Sequence, residues 1–362
     1  MANEDVPLTP VAARQPAPAQ QIILQQPPST FGRFGKWLLA ALALAIMFII
    51  GLYSSYHSYF TPTNAPVEKY HSLSRTAMEK IAIIDVSGAI MEGEDSFAKK
   101  QIDRVKEDTS VVGVVVRINS PGGTVTGSDY IYHHLLELKE ERGKDETFPI
   151  VVSMGSICAS GGYYVAMAVG SEKDAIYAEP TTWTGSIGVI IPHYDLSGTV
   201  KALGAADDSI ASGPLKQMGS PTKPMTPEER EVLQELVDES FMGFKEIVTN
   251  GRPKFKDDQA ALDAAATGQI FTAKQALERG LVDKIGFVEE AIERVAELAD
   301  KKTDDLRCVK YEQPPTLLAS LAGADSSLKP SGRVDLASLI NLTTPRAYYL
   351  WSWMPAAMSN SR

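Results

Sequence analysis

An α/β protein built on a parallel sheet and preceded by one membrane-spanning helix is what the sequence predicts, and three observations carry that expectation. Lys80-Ile-Ala-Ile-Ile-Asp-Val, Val111-Val-Gly-Val-Val-Val-Arg-Ile and Pro149-Ile-Val-Val-Ser-Met are apolar, β-branched runs suited to strands buried on both faces. Between them, Asp95–Glu107 and Gly127–Glu141 carry apolar residues at three- and four-residue intervals. That β-α-β-α-β order implies parallel strands joined by right-handed crossover helices. The third observation is Trp37 to Tyr53, 17 residues without a charge. At about 1.5 Å per residue it nearly crosses a hydrocarbon core, with Trp37 and Tyr53 suited to the two interfaces.

The apolar run reads as a retained anchor. A cleavable signal peptide rarely carries so long a segment before its apolar region, no A-x-A-like site follows Tyr53, and a core helix would show a polar face. Arg33 and Lys36 flank its N-terminal end, and no Lys or Arg follows until Lys69. The expectation is a single-pass protein of the cell membrane with its N-terminus cytoplasmic and the bulk of the chain, its folded domain, outside. Residues 1–36 are expected to be a disordered cytoplasmic tail rich in Pro, Gln and Ala, 37–53 the anchor, and 54–78 a juxtamembrane spacer. Residues 79–311 would form the folded domain and 312–362 an irregular C-terminal extension.

Within that domain Asp174–Tyr177, Ile187–Ile191, Ser209–Ala211 and Leu306–Tyr311 read as strands, and Thr226–Asn250, Thr272–Arg279 and Val288–Leu298 as helices. The aromatic end Tyr348-Tyr-Leu-Trp-Ser-Trp-Met is suited to dock on a partner subunit, the membrane interface or the protein's own core. A net charge of −10 over 362 residues, with short basic runs offset by acids, argues against nucleic acid. Cys158 and Cys308 stand 150 positions apart with no C-x-x-C and no histidine at ligand spacing, so neither a metal site nor a disulfide is expected. No cofactor is implied.

Two small-residue segments follow buried strands, where ligands of open α/β sheets bind. Ile118-Asn-Ser-Pro-Gly-Gly-Thr-Val suits a phosphate loop, an oxyanion loop or an ordinary Pro-Gly turn. Gly155-Ser-Ile-Cys-Ala-Ser-Gly-Gly-Tyr-Tyr would set Ser160 at a sharp turn into a helix, its hydroxyl exposed to substrate, or would use Ser160 merely as a helix cap. The sequence G-x-S-x-G is absent, so α/β-hydrolase membership is not supported.

A serine nucleophile needs a base. Of His57, His71, His133, His134 and His193, only His193 lies downstream of Ser160, with Asp195 beside it. Lys216, in Ala211-Ser-Gly-Pro-Leu-Lys-Gln-Met-Gly-Ser-Pro, is the rival. A lysine held among apolar atoms loses the hydration of its ammonium, and the neutral amine can accept a serine proton.

Four ordered motifs decide between these readings: Asn119-Ser-Pro-Gly-Gly, Ala159-Ser-Gly-Gly-Tyr-Tyr, Thr184-Gly-Ser-Ile-Gly-Val and Ser212-Gly-Pro-Leu-Lys-Gln-Met-Gly-Ser-Pro. With Gly268-Gln-Ile-Phe-Thr-Ala-Lys-Gln-Ala-Leu-Glu-Arg-Gly-Leu-Val-Asp they resemble, over residues 80–300, the signal peptide peptidase A family of bacterial membrane proteases. The resemblance implies a ClpP/crotonase-like fold and a Ser/Lys dyad, with Ser160 as nucleophile, Lys216 as general base and Ser186 holding the lysine amine. It also implies an oxyanion hole made by the N–H groups of Gly123 and Gly161. Substrates would be signal peptides and other hydrophobic peptides. Family members are tandem forms or single units assembled into rings, and this chain carries one unit. Gly170-Ser-Glu-Lys-Asp lengthens the stretch between the two serines, and Pro214 stands close to Lys216. The competing functional classes are a crotonase-like enzyme binding an acyl thioester, and a non-catalytic membrane scaffold.

Overall fold

The computed structural model describes residues 30–60, 65–91, 93–144, 147–314 and 348–350. The chain divides into two units, Met1–Thr63 and Asn64–Arg362. The first contains helix α1, Thr30–Phe60. Its segment Phe34–Tyr56, 23 residues, is long and apolar enough to cross a membrane, and would span about 35 Å. Large apolar side chains along it, Leu39, Phe48 and Ile49 among them, are exposed in the protein alone. The expected span 37–53 lies inside this helix. The expected tail therefore loses residues 30–36 to α1, and residues 1–29 lie outside the described residues.

The second unit runs β1 (Val67–Leu73), β2 (Glu79–Ser87), α2 (Phe97–Glu107), β3 (Val111–Ser120), β4 (Gly122–Thr124), α3 (Val125–Arg142), β5 (Ile150–Ala159) and α4 (Gly161–Ala166). It continues through β6 (Ile176–Ala178), β7 (Trp183–Gly185), α5 (Ser197–Ala202), α6 (Pro227–Gly251), α7 (Gln259–Ala265), β8 (Ile270–Thr272), α8 (Ala273–Arg279), β9 (Lys284–Ile285), α9 (Val288–Leu298), β10 (Leu306–Glu312) and β11 (Tyr348–Leu350). The main sheet has the order β1-β10-β2-β3-β5-β6-β9, with β7 attached to β5 and β8 to β7. All neighbours along the main path are parallel except β1 and β10.

Alternation along the central strands explains their uninterrupted apolar runs. Val114 and Val116 of β3 face one core with Ile102 and Val105 of α2, Leu135 and Leu138 of α3, and Phe244 of α6. Val115 turns to the other face and packs with Ile292 and Val295 of α9. A strand covered by helices on both sides has no solvent face to make polar. The helices begin where capping side chains stand: Ser96 accepts from the Lys99 N–H at α2, and Thr226 and Glu229 form a reciprocal capping box at α6, with Pro227 in the first turn.

Four further expectations are corrected. Ile187–Ile191 is not a strand, since Ile190 alone within it forms a β-bridge, to Tyr348. The spacer 54–78 contains β1, a polar strand whose backbone pairs antiparallel with β10, so edge pairing rather than an apolar pattern creates it. Ser209–Ala211 is exposed loop, because β-branched Ile210 finds no neighbouring strand. The extension 312–362 holds β11, which pairs with β4; residues 315–347 and 351–362 lie outside the described residues. Cys158 and Cys308 are separate buried thiols, and burial pushes that of Cys308 up to about 12.

Candidate active site

The two small-residue segments meet at the carboxyl ends of β3 and β5. Ser160 sits between β5 and α4 with φ 54° and ψ −116°, a conformation that side-chain-bearing residues seldom adopt, and it is 1% exposed. Its backbone is held on both sides: its N–H donates to the Gly185 carbonyl at 2.8 Å, and its carbonyl accepts from Tyr164 N–H at 2.9 Å. Its hydroxyl makes no capping hydrogen bond to α4. The helix-cap explanation of this serine therefore fails. A strained turn persists only where its surroundings over-determine it, and such turns concentrate at functional sites.

Parallel pairing of β5 with β7 sets Ala159 opposite Gly185, so Ser160 and Ser186 continue side by side from the paired ends. Ser186 repeats the backbone conformation at φ 52° and is 6% exposed. Its N–H donates to Gln269 carbonyl at 2.7 Å, tying it to the segment before β8. On the opposite side, Ser120 accepts the Gly122 N–H at 3.1 Å, and Ile90 holds β4 through Ile90 N–H to Gly122 carbonyl, 2.9 Å, and Thr124 N–H to Ile90 carbonyl, 2.8 Å. The backbones of β4 and α4 approach closely: a Cβ added to Gly161 would stand 3.1 Å from the Gly123 nitrogen and would overlap the Ser128 hydroxyl. Only glycine fits there. Ser160, Ser186, Gly123 and Gly161 are thus gathered at one place.

No hydrogen bond among the described residues joins Lys216 to this group in the single chain. It lies in a short 3₁₀ turn, Pro214–Gln217, on an exposed loop, its side chain exposed and without a hydrogen bond to either serine. The expected apolar enclosure of the amine is absent within one protomer, because neighbouring Ile210, Leu203 and Leu196 also face solvent. His193 offers no alternative. Its Nε2 lies 3.3 Å from the Ser220 carbonyl, while Asp195 accepts the Ser197 N–H at 2.9 Å, so no Ser/His/Asp relay forms. On α3, His133, His134 and Glu137 converge within 4.8 Å, a grouping that sequence spacing did not suggest. Glu137 already binds Lys106 at 3.3 Å and His134 at 2.8 Å, making this an ion-pair cluster.

Sequence reasoning missed an aromatic chamber beside the serine. Tyr164, on α4, donates to Asp129 at 2.8 Å, and the Phe244 ring of α6 lies 5.2 Å from its own. Burial, with the Asp129 carboxylate second, drives the Tyr164 phenol well above its ordinary value. The doubled tyrosine after Ser160-Gly-Gly was the available signal; the α6 side could not be placed without the fold.

A buried, strained serine beside paired glycine amides, at the carboxyl end of a helix-covered parallel sheet, is the arrangement of a serine hydrolase that opens acyl bonds, reached here without the G-x-S-x-G elbow of the α/β-hydrolases. Comparison narrows the class. The profile of peptidase family S49 matches residues 142–302. A Synechocystis protein named as a protease is 38% identical over 251 residues, covering 69% of this chain and 86% of its own length. An Enterococcus faecium protein named as a signal peptide peptidase SppA is 35% identical, with 67% and 70% covered. Protease 4 of Salmonella typhi is 33% identical, the match covering 66% of this chain and 37% of that longer protein. The chain belongs to peptidase family S49, the signal peptide peptidase A family, and is a serine protease.

Proposed function

We propose that the protein is a membrane-anchored endopeptidase that degrades signal peptides and other hydrophobic peptides, with Ser160 as nucleophile and Lys216 as general base. One observation carries the reading: the Ser160 hydroxyl is left uncommitted on a strained turn beside the glycines of β4 and α4. In this account a peptide carbonyl enters between the Gly123 and Gly161 N–H groups, which stabilise the oxyanion as Ser160 attacks. Each such donor is commonly worth about 10²–10³ in rate. Lys216 takes the serine proton and delivers it to the leaving amine; water then opens the acyl-enzyme by the same route reversed. Ser186 acts as a positioning residue for the amine.

The exposure of Lys216 supports assembly into a homo-oligomeric ring. Packing the loop that carries Leu196, Leu203, Ile210 and Lys216 against a neighbouring copy would exclude water from the amine, the surroundings in which a lysine can accept a serine proton. Helix α1 supports the anchoring, and Lys36 at its start supports a cytoplasmic N-terminus with the protease domain outside. That placement would hold the site near lipid, where apolar peptides are released.

The test follows cleavage of an apolar peptide by Ser160→Ala and Lys216→Ala proteins in detergent. Both should lose turnover; activity retained in either removes that residue from the dyad. Mixing the two inactive proteins under conditions of subunit exchange should restore part of the activity if a neighbour supplies the lysine.

A further inference from the structure

Residues 188–228, the segment that carries Lys216, contain no buried side chain. Apolar burial therefore does not fix this segment, and polar bonds decide its shape. The Leu196 N–H donates to the Pro221 carbonyl at 2.8 Å, the Gln217 side-chain amide donates to the Ser209 carbonyl at 3.2 Å, and the Thr222 hydroxyl donates to Asp207. These bonds fold the loop upon itself. They do not tie it to the helices that frame Ser160.

That tie comes at Lys223. Its amine lies 2.5 Å from Oε1 of Glu229, the first buried residue after Ile187 and only 1% exposed. Through Oε2 the same carboxylate accepts the Thr226 N–H at 3.0 Å, so one oxygen caps α6 while the other holds the loop. Glutamine serves a capping box as well as glutamate does, so the cap alone does not call for a charge at this position. The charge serves Lys223. Helix α6 is fixed in turn to the helix that Ser160 opens: Phe244 is fully buried, and its ring lies 5.2 Å from that of Tyr164 on α4. A continuous set of contacts thus runs from the lysine loop through Lys223, Glu229, Phe244 and Tyr164 to the nucleophile's turn.

We propose that Glu229, acting through Lys223, is a positioning residue for Lys216: their ion pair sets the foot of the base loop at a fixed place relative to Ser160. The proposal deepens the Ser/Lys reading and rests on it, but the clamp can be measured without turnover. A loosened foot would leave the amine in line with the serine for a smaller fraction of the time. The rate falls with that fraction, whereas peptide binding along the glycine cradle does not change.

The experiment uses full-length protein in detergent. Lys223→Met and Glu229→Gln should each lower kcat about tenfold or more with KM held within about twofold, and Lys223→Arg, which keeps the charge, should recover most of the rate. Because Glu229→Gln retains the cap, it reads the ion pair rather than the integrity of α6. Ser96→Ala removes the cap of α2 and controls for general loss of stability; its kcat should match that of the unsubstituted protein. In a Ser160→Ala background, adding Lys223→Met should speed hydrogen exchange about tenfold in peptides spanning residues 193–223 and leave peptides of β5 unchanged. Unchanged kcat in both clamp variants, or an arginine variant as slow as the methionine one, overturns the positioning role, and unchanged exchange overturns the clamp itself. Failure of the dyad shows separately, as turnover retained by Lys216→Ala while the exchange difference persists.

Discussion

Ser160 and Lys216 stand in opposite surroundings. The serine is enclosed by β5, α4, β4 and β7, its backbone bonded on both sides. The lysine is held by a single 3₁₀ turn on a solvated loop. On the proposed dyad, the difference teaches that one chain would finish the half of the site that must be rigid, the glycine cradle with Ser160, and would leave to its surroundings the half whose chemistry depends on exclusion of water. Rigidity is a property of a packed sheet end. Desolvation can be supplied later, by a neighbouring subunit or by a bound apolar peptide.

The largest expected effect falls on the finished half. Ser160→Ala should lower kcat by about three orders of magnitude or more while leaving the melting temperature within a few degrees. Lys216→Ala should cost nearly as much in rate, but its effect on thermal stability should be negligible because the side chain is exposed; a large stability loss would mean that the loop is packed in the working protein. Gly161→Ala sharpens the contrast further. Its methyl would crowd the Ser128 hydroxyl and the Gly123 amide, so kcat should fall about a hundredfold with circular dichroism unchanged.

Smaller effects separate positioning from scaffolding. Ser186→Ala should lower kcat about ten- to a hundredfold and displace the pH-rate profile, a response that a merely structural serine would not give. Thr226→Ala should remove half of the α6 capping box and cost about 1 kcal/mol in denaturant unfolding. At the same cap, Lys223 and then the Thr226 amide hold Glu229 below the usual carboxylate range. A depressed folded value stabilises above the unfolded one, so this contribution is full above about pH 4.5 and is lost as pH falls through the folded value. Glu229→Gln should therefore flatten the acid limb of the stability curve.

What the sequence displayed well were features written in contiguous residues. The runs of β2, β3 and β5 needed no tertiary information, and Val288–Leu298 shows its helical period unaided. Among the strands that escaped, β4, β7, β8 and β11 are three residues each, and like β1 they exist because a partner strand satisfies them. Ile187–Ile191 illustrates the limit: within that run only Ile190 pairs, and its partner Tyr348 lies far along the chain. At the site, the turns that carry Gly123, Ser160 and Gly161 were legible because each follows a legible strand, whereas Ser186, after β7, and the pairing of the two glycines came only through the family resemblance. The solvation of Lys216 was not legible, since composition within a loop does not reveal what covers it. Nor could Tyr349 be assigned to the chamber, where its ring stacks on that of Tyr164: its aromatic surroundings announced a docking segment but not the surface it seeks.

The most direct test of the central claim is mass spectrometry of the full-length protein after reaction with a fluorophosphonate. The account predicts one adduct, on the tryptic peptide containing Ser160, formed fastest when Lys216 is intact. An adduct on another serine, or undiminished peptide cleavage by a protein in which Ser160 is fully replaced, would contradict it.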